Sequence, residues 1–527
     1  MNNKEFEELK KELLAEIGLL LSPDEIVEQI KIFEKGIPFL KLIKPCKIGN
    51  GVIVIPEADQ EEYINIFSSA LDEGRMMKFV PASGAATRMF KKQLSVLSRF
   101  ESVKLDRIKD LADKGDDDCK SVLEFYNNIH RFAFYNELKK VAKKNGNEFA
   151  ELISDGNISE IIRLVAEQSG LNYANLPKGC ILFHSYADGA RTAFEEHLIE
   201  AMNYSAGKDK VVKVHFTISP EHEAEIIRLF KSLFEKYSSP GWKFDVRFSF
   251  QSSSTDTVSV SMDNKPFRDE NRKIVFRPGG HGALLKNLND LKADIISIKN
   301  IDNIVPDHLK DETYKYKKLL GGYLISLQKK VFEILRLLEN ENADGSLITS
   351  TINFIKDEFE VNLADELKKK PVQEKHQHLF HFLNRPIRVC GMVKKENHPG
   401  GSPFWVKGEN DEMTKQIVET SQVDVSDSNQ SRIFEEATHF NPVDLVCGMK
   451  DYKGNYFNLE KFSNPETGLI TQKSKDGKEL KALELPGLWN GGMYFWLTVF
   501  VEVPKITFNP VKEVNDLLKP EHQPLKK

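Results

Sequence analysis

The feature that most constrains the fold is a short apolar segment, residues 76–80, that leads directly into a loop of small residues at 81–86. The apolar run predicts a buried strand, and helix-compatible sequence begins at Thr87. Such a loop lets backbone N–H groups approach an anion, and the dipole of a following helix favours negative charge there. A tight turn that is kept small for packing alone is the other interpretation that these residues allow.

The same order of strand, turn and helix recurs along the chain. Strands are predicted at 51–55, 76–80, 211–218, 244–251, 257–262, 274–277, 293–299, 387–393, 445–449 and 499–503. Helices are predicted at 23–34, 60–71, 220–236 and 311–338. Ser22 and Glu25 form a capping box at the start of the first of these helices. The alternation predicts an α/β fold with a mixed, mainly parallel central sheet that is flanked by helices.

We predict four segments, because the chain is longer than a single hydrophobic core usually allows. Residues 1–75 form an N-terminal helical segment. Residues 76–310 form an α/β core, which a helical insertion at about 93–170 interrupts. Residues 311–380 are helical, and residues 381–527 form a β-rich part that completes the core.

Net charge, cysteine positions and apolar runs limit the classes of binding partner that we expect. The 527 residues carry a net charge of -5, whereas binding to nucleic acid normally requires a basic face. The five cysteines are scattered and form no Cys-x-x-Cys pair, which favours reduced thiols in the cytoplasm over disulfides or a zinc site. The apolar run at 17–21 is too short for a membrane span. We therefore expect a soluble, cytoplasmic protein that binds neither nucleic acid nor membranes.

Six motifs resemble, in order, those of the UDP-sugar pyrophosphorylases, which are sugar-1-phosphate uridylyltransferases. They lie at 81–89, 176–179, 248–251, 276–282, 299–303 and 508–517. The whole chain is also similar to a bacterial family known as a domain of unknown function, with a glycosyltransferase-A-like fold. The resemblance implies a nucleotide-diphospho-sugar transferase-like, Rossmann-like core. In that core, residues 76–310 would bind the nucleotide and residues 381–527 would complete the sugar-phosphate side.

The resemblance also implies roles for individual residues. Lys178 and Lys512 would contact phosphate, and Asp302 would hold Mg²⁺, the expected cofactor. Arg88 is a further candidate, because a guanidinium can bind two phosphate oxygens at once. The nucleotide would contact Ser83, Gly84, Ala85, Ala86, Thr87, Gln251, Gly280, His281 and Gly282.

Several polar residues also have a structural interpretation. Thr87 can cap the helix that follows the loop, and Asp302 can cap a turn after its strand. His184 and His197, which flank a predicted helix start, are more often structural than catalytic. The three aspartates at 116–118 predict the start of a helix rather than a metal site.

The acceptor side depends on residues 482–492. Glu484 and Asn490 are the candidate partners of sugar hydroxyl groups. Trp489 is either a surface on which a ring stacks or, like Trp496, a core aromatic residue.

The predicted reaction joins a nucleoside triphosphate, with UTP favoured, to a sugar 1-phosphate and releases pyrophosphate in a Mg²⁺-dependent step. The enzyme would mainly position the reactants and neutralise charge, so no nucleophilic side chain is required. The alternative is a non-catalytic protein of the same fold that binds a nucleotide or nucleotide sugar. Ala86 and Ala283, which depart from the family pattern, favour that alternative. The sequence does not predict the sugar or the oligomeric state.

Overall fold

The computed structural model describes residues 3–14, 16, 19–84, 86–238, 241–339, 345–396, 400–408, 412–475 and 477–525. The helices are α1 Asn3–Leu14, α2 Pro23–Lys35, α3 Glu57–Asp72, α4 Lys91–Arg99, α5 Leu105–Asp113, α6 Asp117–Asn127, α7 Tyr135–Lys144, α8 Phe149–Ser154, α9 Ile158–Ala166, α10 Ala193–Tyr204, α11 Glu223–Tyr237, α12 Leu284–Asp290, α13 Lys310–Glu339, α14 Gly345–Phe359, α15 Ala364–Leu367, α16 Val372–Leu383 and α17 Ser428–Glu435.

The strands are β1 Lys41–Pro45, β2 Lys47–Ile48, β3 Gly51–Ile53, β4 Met76–Pro81, β5 Leu182–Tyr186, β6 Gly189–Thr192, β7 Val211–Thr217, β8 Lys243–Ser249, β9 Thr257–Val260, β10 Phe276–Arg277, β11 Ile295–Lys299, β12 Ile387–Lys394, β13 Ser402–Lys407, β14 Met413–Val418, β15 His439–Phe440, β16 Asp444–Gly448, β17 Leu469–Lys475, β18 Lys478–Glu484 and β19 Leu497–Glu502. The strands alternate with helices along the chain, which confirms the α/β class.

Local sequence signals account for several of these elements. α2 begins at the predicted capping box, in which Ser22 and Glu25 exchange hydrogen bonds and a proline occupies the first turn. α6 begins at Asp116, whose side chain accepts a hydrogen bond from the N–H of Cys119. The aspartates at 116–118 are therefore a helix start, as predicted. Among the residues the structure describes, no helix is long and apolar enough to cross a membrane.

The chain forms two compact units, each assembled from separated parts of the sequence. The first, unit 1, comprises residues 1–70, 249–298 and 318–504. The second, unit 2, comprises residues 71–248, 299–317 and 505–527. The boundaries of these units differ from those of the four consecutive segments expected from the sequence. Residues 318–504 belong to unit 1, whereas residues 299–317 and 505–527 belong to unit 2.

Unit 2 contains the parallel strand pair β4 and β7, with Lys78 opposite Val214 and Val80 opposite Phe216. β8 lies next to β7, and β5 and β6 form a separate antiparallel pair. α10 and α11 contribute Phe194 and Phe230 to a buried core that also includes Phe216 of β7. The region from α4 to α9 is helical, and it lies where the sequence predicts a helical insertion.

Unit 1 contains a mixed sheet in the order β2-β3-β19-β12-β16-β11, with β15 paired to β12. β19 runs parallel to both β3 and β12, whereas β12 and β16 are antiparallel. Two smaller sheets accompany it, in the orders β1-β13-β14 and β10-β9-β18-β17. Parallel pairs predominate around β19 and in β4–β7, which agrees with the predicted mixed, mainly parallel sheet.

Candidate functional site

The loop after β4 lies at the carboxyl end of that strand, where ligands bind in most open α/β sheets. The N–H of Ala82 donates to the carbonyl of Thr217 at 2.9 Å, and the Ser219 hydroxyl donates to the carbonyl of Ser83 at 2.8 Å. Within the described part of the chain, the N–H groups of Ser83 and Gly84 donate to no partner. They are therefore available to an anion, whereas Ala85 lies outside the described residues.

The end of the loop differs from the sequence prediction. Residues 86–88 form a short 3-10 turn, and α4 begins only at Lys91. Thr87 does not cap α4, because its hydroxyl donates to the carbonyl of Ala174 at 2.9 Å. The N–H of Ala86 is likewise used, by the carbonyl of Leu176 at 3.0 Å, so it is not available to a ligand.

Two neighbours in this turn have different surroundings. Ala86 is fully buried and does not have a positive φ, so an alanine fits there without backbone strain. Arg88 is exposed, and among the described residues its guanidinium forms no ion pair or hydrogen bond. Arg88 is therefore free to bind an anion.

Three predicted charged residues meet next to this loop, in unit 2. Asp302 accepts hydrogen bonds from Lys178 at 3.1 Å and from Lys512 at 2.9 Å, and both ammonium groups contact Oδ2. Lys178 also donates to the carbonyl of Val511 at 2.9 Å, and its own N–H donates to the carbonyl of Gly84 at 3.3 Å. The side chains of Lys178 and Asp302 are 12% and 9% exposed, whereas that of Lys512 is 61% exposed. We call these three residues the site cluster.

The charges of the site cluster are strongly coupled. Burial by itself would raise the pKa of the Asp302 carboxyl, but the ammonium groups of Lys178 and Lys512 overcome this effect and lower the pKa. The carboxylate is consequently charged at neutral pH. The cluster carries one net positive charge, before the charge of Arg88 is counted, and it lies beside unpaired backbone N–H groups.

The donor set of Asp302 limits which metal site is possible. No group of three or more His, Cys, Asp or Glu side chains suited to a metal ion is found within the described residues. A protein cage for a cation is thus not supported there. Both lysine contacts fall on Oδ2 of Asp302. Asp302 would be the protein ligand of a Mg²⁺ ion, a cation that is commonly held by one or two carboxylates together with phosphate oxygens and water.

A second charged group lies entirely inside unit 2. Glu200 of α10 accepts hydrogen bonds from Lys78 of β4 at 2.9 Å and from Lys299 of β11 at 2.8 Å. All three side chains are 0% exposed, and the Tyr204 hydroxyl completes the group with a 3.0 Å bond to Glu200. We call these residues the buried cluster. Lys78 lies three residues before the loop that begins at 81, and Lys299 lies three residues before Asp302.

His184, Glu196 and His197 are also buried, and their side chains form contacts within the protein. His197 of α10 contacts the carbonyl of Ile301 at 3.1 Å, directly before Asp302. Glu196 contacts His184 at 2.9 Å, and it also pairs with Lys310. The structural interpretation of His184 and His197 agrees with these buried contacts.

Sequence reasoning missed the buried cluster. A signal was present, because Lys78 interrupts the apolar run of β4 and Lys299 follows the apolar residues of β11. A lysine inside a buried strand requires a partner for its charge. Its partner, Glu200, lies 122 residues from Lys78 in sequence, so the pattern along the chain could not identify it.

The remaining predicted residues lie in unit 1, where several of them meet. The rings of His281 and Trp489 stack with centroids 4.6 Å apart and an interplanar angle of 2°. Gly280 has a φ of +71°, and a Cβ there would lie 3.5 Å from the Glu484 carboxylate. Gly282 packs so closely that a Cβ would lie 2.5 Å from the carbonyl of Pro486. Glycine is thus required at both positions.

Asn490 and Gln251 are two further predicted residues of unit 1. Asn490 is 4% exposed, and its side-chain nitrogen donates to Gln422 at 3.4 Å. Gln251 lies two residues beyond the end of β8, so the prediction that it ends the strand was wrong. Among the described residues, no hydrogen bond, ion pair or ring contact joins Gln251 to His281 or Glu484. The ligand-binding roles of these residues stay predictions.

Comparisons with known proteins identify one family and several solved structures. The sequence model of the family described as "Domain of unknown function (DUF4301)" matches residues 8–523. No curated protein matches the chain. The UDP-N-acetylglucosamine pyrophosphorylase of Trypanosoma brucei, solved with an inhibitor, is 12% identical with a TM-score of 0.47, and the match covers 94% of this chain and 74% of that one. The UDP-glucose pyrophosphorylase of Leishmania major is 11% identical with a TM-score of 0.42, covering 99% and 82%.

Proposed function

We propose that this chain, which belongs to the DUF4301 family, is a Mg²⁺-dependent nucleotidyltransferase that joins a nucleoside triphosphate to a sugar 1-phosphate and releases pyrophosphate. The observation that carries this proposal is the meeting of Asp302, Lys178 and Lys512 beside the small-residue loop. Both lysines contact one carboxylate oxygen, and Lys512 is 61% exposed, so its ammonium group is accessible to a ligand. The same groups are what phosphate neutralisation requires.

The chemistry needs little covalent participation from the protein. An oxygen of the sugar phosphate attacks the α-phosphorus in line, and pyrophosphate leaves with the electron pair of the broken P–O bond. The protein contributes by orienting the triphosphate and by balancing its charge. The N–H groups of Ser83 and Gly84 and the guanidinium of Arg88 are the donors for this task.

Lys178 and Lys512 would have different tasks in this reaction. Lys178 is nearly buried and is fixed by the carbonyl of Val511, so it holds Asp302 in position. Lys512 is mostly exposed, and an incoming phosphate can take its ammonium group from Asp302 without desolvating a new charge. A Mg²⁺ ion held by Asp302 would supply further neutralisation of the phosphates.

The nucleotide and the acceptor are the finer parts of the proposal. UTP and a sugar 1-phosphate follow from the motif resemblance. The stacked rings of His281 and Trp489, together with the partly exposed carboxylate of Glu484, support the prediction that these residues bind a ring and its hydroxyl groups.

The test is a pyrophosphate-release screen of the four nucleoside triphosphates against a panel of sugar 1-phosphates. We expect release with UTP and at least one sugar phosphate in the presence of Mg²⁺, and none after chelation. Calorimetry with each triphosphate is measured in parallel. Binding without release by any pair would reject the enzyme and support a nucleotide-binding protein.

That second candidate has one observation in its favour. The charge of Asp302 is already balanced by Lys178 and Lys512. A carboxylate in this state has less need of a metal ion. The screen separates the two candidates, because only the enzyme depends on Mg²⁺ for turnover.

A further inference from the structure

Unit 1 contains a cavity of about 680 Å³ that the proposed reaction does not use. This volume lies within the usual range for small-molecule sites, which is roughly 300–1,000 Å³. The cavity lies beside the amino ends of two parallel strands, since Arg385 stands two residues before β12 and Trp496 directly before β19. Sites for the reaction of an α/β protein form at the carboxyl ends of such strands. The position of the cavity thus favours a separate binding site.

Aromatic side chains form much of the wall. Phe359 and Phe382 meet edge to face with centroids 6.3 Å apart. Trp405, Tyr494 and Trp496 line the same cavity and are each at most 5% exposed. A wall of this kind favours a flat or apolar ligand body.

The charged residues of the wall are mostly paired within the protein. Lys415 contacts Glu360 at 3.3 Å, and Glu366 contacts Lys370 at 3.1 Å and His378 at 3.6 Å. These pairs are satisfied within the protein, and the carboxylate of Glu412 lines the same cavity.

Arg385 is different. Its Nε donates to the carbonyl of His381 at 3.3 Å, but among the residues described it forms no ion pair with a carboxylate. Burial lowers the pKa of Arg385, and the more distant charge of Glu412 offsets this only in part. A desolvated guanidinium without a close counterion is a costly arrangement, and an anion from outside would relieve it.

We propose that this cavity binds a small amphipathic anion, with its charged group on Arg385 and its aromatic or apolar body against the aromatic side chains of the wall. The site is distinct in residues from the site cluster and from His281. It does not depend on the proposed nucleotidyl transfer, and a regulatory ligand is its natural occupant.

The test uses two related fluorescent probes on the full-length protein. Anilinonaphthalene sulfonate carries an aromatic body and one negative charge, and N-phenylnaphthylamine has a similar body without the charge. We expect saturable binding of the sulfonate at one site per chain, at least about tenfold tighter than the neutral probe. Equal affinity for the two probes, or no saturable binding, would overturn the proposal.

Variants assign the binding to this cavity. Arg385→Met should weaken sulfonate binding by about tenfold or more, and Arg385→Lys should restore most of it. Arg432→Met removes a guanidinium of α17 that is exposed and paired with Glu436, so it serves as the matched control and should bind like wild type. Unchanged sulfonate affinity in Arg385→Met would contradict the proposal.

A further variant tests the cavity without changing Arg385, whose substitution alters a partly buried side chain. Met413 lines the cavity but is 45% exposed, so Met413→Trp fills the cavity entrance with little effect on the core. We expect this variant to lose the sulfonate signal while its melting temperature stays close to that of wild type. A stable Met413→Trp protein that binds the probe as before would show that the probe occupies another site.

Discussion

Two groups in unit 2 consist of one carboxylate between two lysines, yet they differ in exposure to solvent. In the buried cluster, Glu200 and both lysines are 0% exposed. In the site cluster, Asp302 is 9% exposed and Lys512 is 61% exposed. One carboxylate and two lysines therefore form one cluster that is fully buried and one cluster that has an exposed lysine.

This difference in exposure determines whether each cluster can exchange an ion-pair partner. A fully buried ion pair cannot exchange its partner, because any separated charge would lack both water and a counterion. A cluster with an exposed lysine can exchange its partner at little cost, since water solvates the lysine throughout. We infer that Glu200 fixes the positions of Lys78 and Lys299, which lie three residues before the loop and Asp302, whereas the site cluster is where a ligand can enter.

The largest expected effect comes from Glu200→Gln, which leaves Lys78 and Lys299 buried without a counterion. We expect the free energy of unfolding, measured by urea denaturation, to fall by about 3–5 kcal/mol. Glu137→Gln is the control, because Glu137 pairs with Lys140 at the surface and its loss should change stability by less than about 1 kcal/mol. Equal effects of the two substitutions would remove the distinction between buried and exposed pairs.

The next effect concerns activity. Asp302→Asn should reduce Mg²⁺-dependent pyrophosphate release by about a hundredfold or more, because the amide neither neutralises the lysines nor binds Mg²⁺ well. The loss of stability should be smaller than for Glu200→Gln, since Lys512 remains solvated. Asp117→Asn, at a carboxylate that is 85% exposed, is the control and should leave turnover unchanged. Normal turnover in Asp302→Asn would exclude Asp302 from the reaction.

A smaller effect is expected from Lys512→Met. Calorimetry should show triphosphate binding weakened by about tenfold, as expected for the loss of one charge-assisted contact. The salt dependence of binding should also become shallower. Lys140→Met, which removes a lysine 71% exposed on α7, should bind like wild type. If Lys512→Met binds the triphosphate normally, the exposed lysine is not a ligand contact.

The smallest effect is a pH dependence of stability. Burial lowers the pKa of Lys78 to about 7, although the Glu200 carboxylate opposes this shift. Above pH 7 the unfolded chain therefore binds a proton at Lys78 that the folded protein has lost, and the contribution of Lys78 to stability rises with pH. The rise is at most about 1.4 kcal/mol per pH unit.

The measurement compares the wild type with Lys78→Met by urea denaturation between pH 7 and about 9. Burial raises the pKa of several cysteines, and their effect on stability has the opposite sign, but it is common to both proteins and cancels in the difference. The stability difference between the two proteins should change in favour of the wild type as pH increases. A constant difference would mean that Lys78 stays protonated.

Local patterns determined much of the fold. The capping box at Ser22 and the apolar run of β4 are each specified within a few residues, so they could be predicted from the sequence. Prediction was weaker at element ends. Thr87 was expected to cap a helix, but its hydroxyl found the carbonyl of Ala174, 87 residues away, and α4 begins later.

The candidate site shows the same division. The sequence by itself identified Lys178, Asp302 and Lys512 as candidate site residues through the motif resemblance, and the position of Lys78 within the apolar run of β4 indicated that this lysine needs a partner. Only the tertiary structure decided that Lys512 meets Asp302 across 210 residues and that Glu200 lies between Lys78 and Lys299. The physical reason is that an ion pair depends on distance and burial in space, and neither is encoded in spacing along the chain.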